Sequence, residues 1–132
     1  MCRRGDIIVV KEYISHGVNL SRHSFVVVDD QNGKVCGMDY DIVCNVMSSF
    51  HSDEHREHKL RFPGNLEFDT SEEMVTNGNN KSGYIKADQL YYFNKSEIDY
   101  YVIGVVSPDL FIRLIELIES LESIEHITDN LD

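Results

Sequence analysis

Hydrophobic residues in this chain come in short runs separated by polar segments, which is the pattern of a β-rich protein. Most runs are rich in β-branched or aromatic side chains, which favour strands over helices. The strands predicted from these runs are 7–10, 24–28, 34–38, 40–47, 60–68, 84–85, 90–93 and 100–106.

The polar segments between these runs predict turns and loops. Asn32-Gly33 is a strong two-residue hairpin signal, because both residues tolerate positive φ, and it predicts a return from strand 24–28 into strand 34–38. Residues 13–21 and the histidine-rich residues 48–59 are predicted to be loops. Residues 69–83 contain almost no apolar side chains and predict a mobile surface loop.

The C-terminal part of the chain changes to a helical pattern. Ser107 fits the N-cap, Pro108 the first helical position and Asp109 the positively polarised first turn. These signals predict a helix over 107–127 that covers a sheet or a partner. Its apolar face consists of Leu110, Leu114, Leu117, Ile118 and Leu121.

Short strands followed by one amphipathic helix indicate a mainly β protein, a small barrel or a β-sandwich, with a C-terminal α-helix. The 132 residues fit one domain, 1–132, that can bury a core of its own. No internal repeat or linker divides the chain.

The net charge is −11, which by itself argues against a nucleic-acid partner. The acidic residues are unevenly distributed, however. Residues 1–62 hold eight Lys and Arg against nine Asp and Glu, together with five of the six histidines, whereas residues 63–132 hold four against fourteen. An anionic ligand could therefore approach the first half of the chain.

Cysteine use and hydropathy indicate a cytoplasmic protein that does not enter a membrane. The three cysteines cannot pair completely and none lies in a CxxC motif, which fits a reducing compartment. No apolar run reaches the length of about 18 residues that a membrane span needs. The N-terminal residues lack the apolar stretch of a signal peptide.

Five segments, taken in order, resemble the MazF/PemK-like toxin family. Arg4–Ile8 and Phe25–Asp29 resemble its opening strands, and Ile42–Ser49 resembles its third strand, which ends in Thr or Ser. Gly83–Leu90 is similar to its late strand with an acid-Gln pair, and Ile103–Ser107 is similar to its entry into the last helix. The resemblance extends over nearly the whole chain.

This resemblance implies an SH3-like barrel capped by one helix and acting as a homodimer. It also implies a toxin of a toxin-antitoxin system, an endoribonuclease that cleaves single-stranded RNA without metal or other cofactor and is neutralised by a cognate antitoxin. Two alternatives stay open: a CcdB-like toxin that binds DNA gyrase, and a catalytically silent acidic binding module of the same fold.

The candidate catalytic residues are Arg22, His23 and Ser48. Metal-free RNA cleavage needs proton transfer and a cation for the charge of the phosphorane, which His23 and Arg22 would supply. Ser48, at a predicted strand end, would donate a hydrogen bond to the phosphate. Alternation along a regular strand places residues 22 and 24 on one face and residue 23 on the other, so a twist or bulge would be needed to join them.

Four further residues are candidates for substrate binding: Ser49, His51, Arg56 and Lys59. Ser49 neighbours the catalytic serine, and the other three belong to a basic, histidine-rich segment. In the resembling family, the corresponding loop lies near the RNA.

The sequence HSDEHREH also allows a zinc interpretation, because His51, His55 and His58 are spaced by four and three residues. Acidic residues alternate with these histidines and no cysteine adjoins them. A solvated polar loop without metal is therefore the favoured interpretation.

Overall fold

The computed structural model describes residues 2–69, 75–76 and 82–131. Within them the chain forms thirteen strands, two α-helices and a short 3-10 turn. The strands are β1 (Asp6–Val10), β2 (Ile14–Ser15), β3 (Val18–Asn19), β4 (His23–Asp29), β5 (Gly33–Val35), β6 (Met38–Tyr40), β7 (Ile42–Ser49), β8 (Asn65–Phe68), β9 (Val75–Thr76), β10 (Gly83–Lys86), β11 (Gln89–Phe93), β12 (Tyr100–Val106) and β13 (Glu125–Ile127). The helices are α1 (Asp53–Leu60) and α2 (Pro108–Ser120), and the 3-10 turn is Lys95–Glu97.

Nine of these strands form one sheet, and two small hairpins, β2–β3 and β5–β6, stand apart from it. The main path of the sheet runs β13-β11-β7-β4-β1-β12-β9, and β10 joins β7 to β8. Its described pairs are antiparallel except β11 with β13, which is parallel. The prediction of a mainly β protein with a C-terminal helix is confirmed.

The sheet separates two hydrophobic cores, because alternate side chains of its central strands point to opposite faces. On one face, which we call the helix-side core, Ile7, Val26 and Met47 pack with Leu110 and Leu114 of α2. On the other face, the aromatic core, the rings of Tyr13, Phe25, Tyr91 and Phe93 meet mostly edge to face. A sheet buried on both sides explains why its central strands are continuous apolar runs.

Helix α2 begins as predicted. The Ser107 side chain accepts a hydrogen bond from the backbone N–H of Leu110 at 3.2 Å, and Pro108 occupies the first turn. The apolar face covers the sheet, with Leu110 and Leu114 fully buried.

The predicted end of this helix at residue 127 is wrong. The chain leaves the helix at Leu121, whose backbone is extended, and residues Glu125–Ile127 add β13 beside β11. The backbone N–H of Glu125 donates to the carbonyl of Asp88 at 2.8 Å, and Tyr92 Oη shares a hydrogen bond with His126 Nδ1 at 2.6 Å. These contacts stabilise an extended conformation in a segment whose composition is also compatible with a helix.

The predicted hairpin at Asn32-Gly33 is also wrong. Strand β4 pairs with β1 and β7, and the turn of the neighbouring hairpin lies at Cys36-Gly37, between β5 and β6. Both turn residues have positive φ, 51° for Cys36 and 81° for Gly37, as a two-residue hairpin turn requires.

Two predicted loops contain regular structure. Residues 13–21 include the β2–β3 hairpin, and residues 48–59 include the end of β7 and most of α1. Ser52 caps α1 by accepting from the N–H of His55 at 3.0 Å. No residue of α1 is buried, so the helix has no apolar stripe by which a sequence pattern could reveal it.

The predicted strand 60–68 is reduced to β8, an edge strand that pairs only with β10 among the described strands. The prediction of a mobile loop over 69–83 lies mainly outside the described residues. Within those residues, no helix is long and apolar enough to span a membrane.

Candidate functional site

A cleft of about 830 Å³ opens between the start of β4 and the end of β7. It brings together five of the seven residues singled out from the sequence: Arg22, His23, Ser48, Ser49 and His51. Residues separated by about 25 positions meet here because of strand pairing. The other residues that line the cleft are Ile7, Val9, Ser24, Met47, Phe50, Phe68, Tyr84 and Ile103.

The register of the sheet fixes the site. Ser24 pairs with Met47 across the β4–β7 ladder, so continuing that register by one residue sets His23 across from Ser48. On the other side of β7, Tyr84 of β10 pairs with Ser48. Directly opposed antiparallel residues share a face, so His23, Ser48 and Tyr84 form one cross-strand row.

Arg22 lies at the mouth of the cleft and is solvent-exposed. Its guanidinium donates a hydrogen bond to the hydroxyl of Tyr101 on β12, and its Cζ lies 5.6 Å from the centre of the Tyr101 ring. No Asp or Glu among the described residues forms an ion pair with Arg22. A guanidinium held by a neutral phenol keeps its full charge for an anionic ligand.

His23 borders the cleft, but its ring belongs to the opposite face of the sheet. The ring lies edge-on to Tyr13 of the aromatic core, with 5.3 Å between centroids. Burial lowers the pKa of His23, so the imidazole is neutral at physiological pH. Strand β4 has no bulge at this point, so the side chain of residue 23 points to the face opposite that of residues 22 and 24.

The two serines at the end of β7 divide between the faces in the same way. Ser48 shares the row of His23 and Tyr84, and Ser49 pairs with Gly83 of β10. A Cβ on Gly83 would lie only 2.0 Å from the backbone oxygen of Ser48, so this close approach requires glycine. The β7–β10 pairing that shapes the cleft therefore depends on residue 83.

His51 is the exposed imidazole of the cleft. Its backbone N–H donates to Nδ1 of His55 at 3.1 Å, and the two rings lie 4.6 Å apart. The pKa of His55 is lowered by desolvation and then by the electrostatic influence of its neighbours, His51 first. His51 thus stands between the cleft and the start of α1.

Arg56 and Lys59, both predicted to bind substrate, do not line the cleft. Arg56 projects from α1 onto Glu67 of β8, with Nε and Nη2 each 2.6 Å from the same carboxylate oxygen. This ion pair already satisfies the charge of Arg56. Lys59 lies half-buried on the same helix.

The electrostatic character of the cleft differs from that of the whole chain. None of the described residues that line it is Asp or Glu, although the chain carries a net charge of −11. The contrast is clear in a second cleft, of about 240 Å³, whose lining includes the carboxylates of Glu12, Glu97 and Asp129. The described lining of the larger cleft is thus without carboxylates, which suits an anionic ligand.

Among the described residues, the fold does not support a zinc site in the histidine-rich segment. Nowhere in residues 2–69, 75–76 and 82–131 do three or more His, Cys, Asp or Glu side chains gather as metal ligands would. His58 instead packs against Phe62, with 5.6 Å between ring centroids.

Several residues in the cleft or in contact with its lining were not identified from the sequence as part of a site. Ser24 follows His23 directly, and the strand alternation that separates the two would have selected it. Tyr101 and Tyr84 read as ordinary strand aromatics, and only the register shows that one reaches Arg22 and the other Ser48. The apolar walls from Ile7, Met47 and Phe68 extend the helix-side core into the cleft.

Comparison of the chain with protein-family models and with curated proteins finds no match in either set.

Proposed function

We propose that this chain is a MazF/PemK-like toxin, an SH3-like barrel that cleaves single-stranded RNA in the cleft at the start of β4 and the end of β7. The proposal rests on the sequence resemblance and on one observation above all. In a strongly acidic chain, the cleft of about 830 Å³ has no carboxylate among its described lining residues and gathers one arginine, two histidines and three serines.

The cleft offers the chemical groups that metal-independent RNA cleavage needs. Arg22 would bind the scissile phosphate and stabilise the charge that develops on the phosphorane. Serine hydroxyls, Ser49 on the cleft side and Ser48 in the neighbouring row, would donate hydrogen bonds to phosphate or ribose oxygens. The apolar walls suit the faces of unpaired bases, which favours a single strand over a duplex.

Proton transfer has two candidates, and the geometry ranks them. His23, the candidate chosen from the sequence, packs its ring on Tyr13, away from the cleft. His51 lines the cleft and is exposed, so its ring can approach a 2′-hydroxyl or a 5′-oxygen. We assign His51 as the main general acid or base and His23 as a support of the β4–β7 row.

Purified protein incubated with a long single-stranded RNA in EDTA tests this function. Wild type is expected to release fragments with 2′,3′-cyclic phosphate ends, and a 2′-deoxy substrate is expected to resist. His51→Ala and Arg22→Ala should each slow cleavage by about 10²- to 10⁴-fold while the protein stays folded. His58→Ala, which removes an exposed α1 imidazole outside the cleft, is the matched control and should cleave at the wild-type rate.

The outcomes distinguish the alternatives. If His23→Ala loses activity while His51→Ala keeps it, the roles of the two histidines are reversed. If RNA stays intact with every protein, including wild type, the enzyme proposal fails. The orientation of His23 toward the aromatic core would then favour a silent binding module, and inhibition of DNA supercoiling would identify the gyrase-binding alternative.

A further inference from the structure

Tyr101 makes two contacts with the guanidinium of Arg22. Its hydroxyl accepts a hydrogen bond from Nη2, and its ring lies under the cation, with 5.6 Å from Cζ to the ring centre. Tyr101 itself is 37 % exposed on β12, so it is not needed to fill a core. A role in the placement of Arg22 accounts for an exposed aromatic residue at the mouth of the cleft.

The position of Arg22 explains why it needs such support. Arg22 precedes β4 and follows Ser21, whose φ is 63°, so no strand ladder fixes its side chain. A free arginine side chain loses much rotamer entropy when it binds. A side chain that already rests on a ring loses less, and the donors not used by the phenol remain for a bidentate contact with phosphate.

The neutrality of the phenol matters as much as its position. Arg56 is held by the carboxylate of Glu67, and Lys11, the other cation near the Tyr101 ring, pairs with Asp99 at 3.4 Å. No carboxylate in the described part of the chain neutralises Arg22 in this way. Tyr101 thus holds the guanidinium of Arg22 in place and leaves its positive charge available to a ligand.

We propose that Tyr101 is a positioning residue that orients Arg22 to bind a backbone phosphate of single-stranded RNA. This inference rests on the proposed function, because it describes how the same site holds its substrate. Tyr101 acts through Arg22 and does not itself contact the reacting atoms.

The test is a double-mutant cycle on the full chain, measured by fluorescence anisotropy with a labelled single-stranded 2′-O-methyl oligonucleotide. This probe carries the phosphates of RNA but cannot be cleaved through a 2′-hydroxyl. Tyr101→Ala should weaken binding about tenfold, which is the size of coupling expected between contacting groups. Tyr101→Phe keeps the ring and should weaken binding only about threefold, because the cation-π contact remains. Val102→Ala, an exposed neighbour on the same strand, is the matched control and should change the affinity less than about twofold.

The decisive quantity is the coupling between the two residues, which a purely structural role of Tyr101 would not produce. Once Arg22 is replaced by Ala, the further change Tyr101→Ala should have no effect on the affinity. Independent, additive losses would overturn the inference even if Tyr101→Ala binds weakly. Equal melting temperatures of wild type and both Tyr101 variants would support it, because the loss then arises in the folded protein.

Cleavage measured on the same proteins separates this inference from the proposed function. If wild type binds the probe with the predicted coupling but leaves RNA intact, the nuclease proposal fails and the positioning role stands. If wild type cleaves RNA and Tyr101→Ala binds and cleaves like wild type, the positioning role fails alone. If wild type does not bind the probe at low salt, the positioning role fails, and the cleavage assay alone decides the nuclease proposal.

Discussion

Asn45 offers the sharpest test of how the sheet around the cleft is held together. Its side chain is fully buried in β7, and Nδ2 donates to the carbonyls of Lys86 and Gln89 at 3.0 and 2.7 Å. One amide group thus closes the turn between β10 and β11, the two strands on the far side of β7. The change Asn45→Asp keeps the shape of this side chain but removes the donors.

The expected cost can be worked out from the two forms of the new carboxyl. An ionised carboxylate at position 45 would face two carbonyl oxygens inside the protein, so the folded state would keep the group protonated. Protonating a carboxyl of ordinary pKa, about 3.9, costs about 4 kcal/mol near neutral pH, since each pH unit contributes about 1.4 kcal/mol. The protonated acid donates only one hydrogen bond, and the carbonyl left without a partner adds about 1–3 kcal/mol. We expect Asn45→Asp to lower the free energy of unfolding by about 5–7 kcal/mol near neutral pH.

Urea unfolding followed by circular dichroism near pH 7 and near pH 5 measures this effect. Folding raises the pKa of the new carboxyl above its unfolded value, so its penalty shrinks as the pH falls toward the unfolded pKa. The difference from wild type should therefore decrease by about 2–3 kcal/mol between the two pH values. Asn45→Leu is the control: it removes both hydrogen bonds without adding a titratable group, so its cost should not depend on pH. An Asn45→Asp protein as stable as wild type near pH 7, or with a cost independent of pH, would refute this reasoning.

Three further changes test other parts of the structure. Gly83→Ala places a Cβ 2.0 Å from the backbone oxygen of Ser48, so it should cost about 3 kcal/mol in urea unfolding and weaken oligonucleotide binding; an unchanged midpoint would contradict the close approach. Ser107→Ala removes the cap that accepts from Leu110 and should cost about 1 kcal/mol, whereas Ser107→Asp should retain most of the stability; equal losses would show that the cap is unimportant. Burial lowers the pKa of His23, so the unfolded chain takes up its proton first and stability falls as the pH drops below about 6.5. His23→Gln should reduce this fall between about pH 7.5 and pH 5.5 in the same assay, and an unaltered pH dependence would contradict the burial of the ring.

The elements that the sequence predicts well are those that bury their side chains. Strands β1, β4 and β11 are predicted within one residue at each end, because runs such as Ile7–Val10 fill the cores on both faces of a sheet. Strand β12 is an exception: its β-branched and aromatic residues predict it, although Val106 is its one buried residue. The start of α2 is predicted from capping chemistry, which acts between neighbouring residues. Both signals are carried by residues that are close in sequence, so they can be recognised without knowledge of the tertiary structure.

The elements that the sequence does not predict depend on distant partners or bury nothing. Helix α1 has an N-cap at Ser52 and acids in its first turn but no buried side chain. Strand β13 exists because β11 offers an edge, which no pattern in residues 121–127 records. The Cys36-Gly37 turn lacks the favoured Asn-Gly pair, so its two positive φ angles are seen only in the structure.

The candidate site shows the same division between position and direction. The family resemblance selected residues 22–23 and 48–49, and strand pairing brings these two segments together. It could not give the direction of each side chain, which the pleat determines. The ring of His23 therefore turns to Tyr13, while His51, assigned only to substrate binding, faces the cleft.

The directions in which side chains point also bear on the conflict between an acidic protein and the proposed anionic substrate. Charges separated by more than the Debye length, about 8 Å at physiological ionic strength, are largely screened from each other. A phosphate bound in the cleft would therefore respond mainly to the charges beside it, and Arg22 is one such charge in the described lining. The overall charge would still act during approach, where it would slow the encounter with the proposed RNA substrate at low salt. Added salt would screen that long-range repulsion and the short-range attraction alike, so in the proposed complex the contacts of Arg22 would need to supply affinity by geometry as well as by charge.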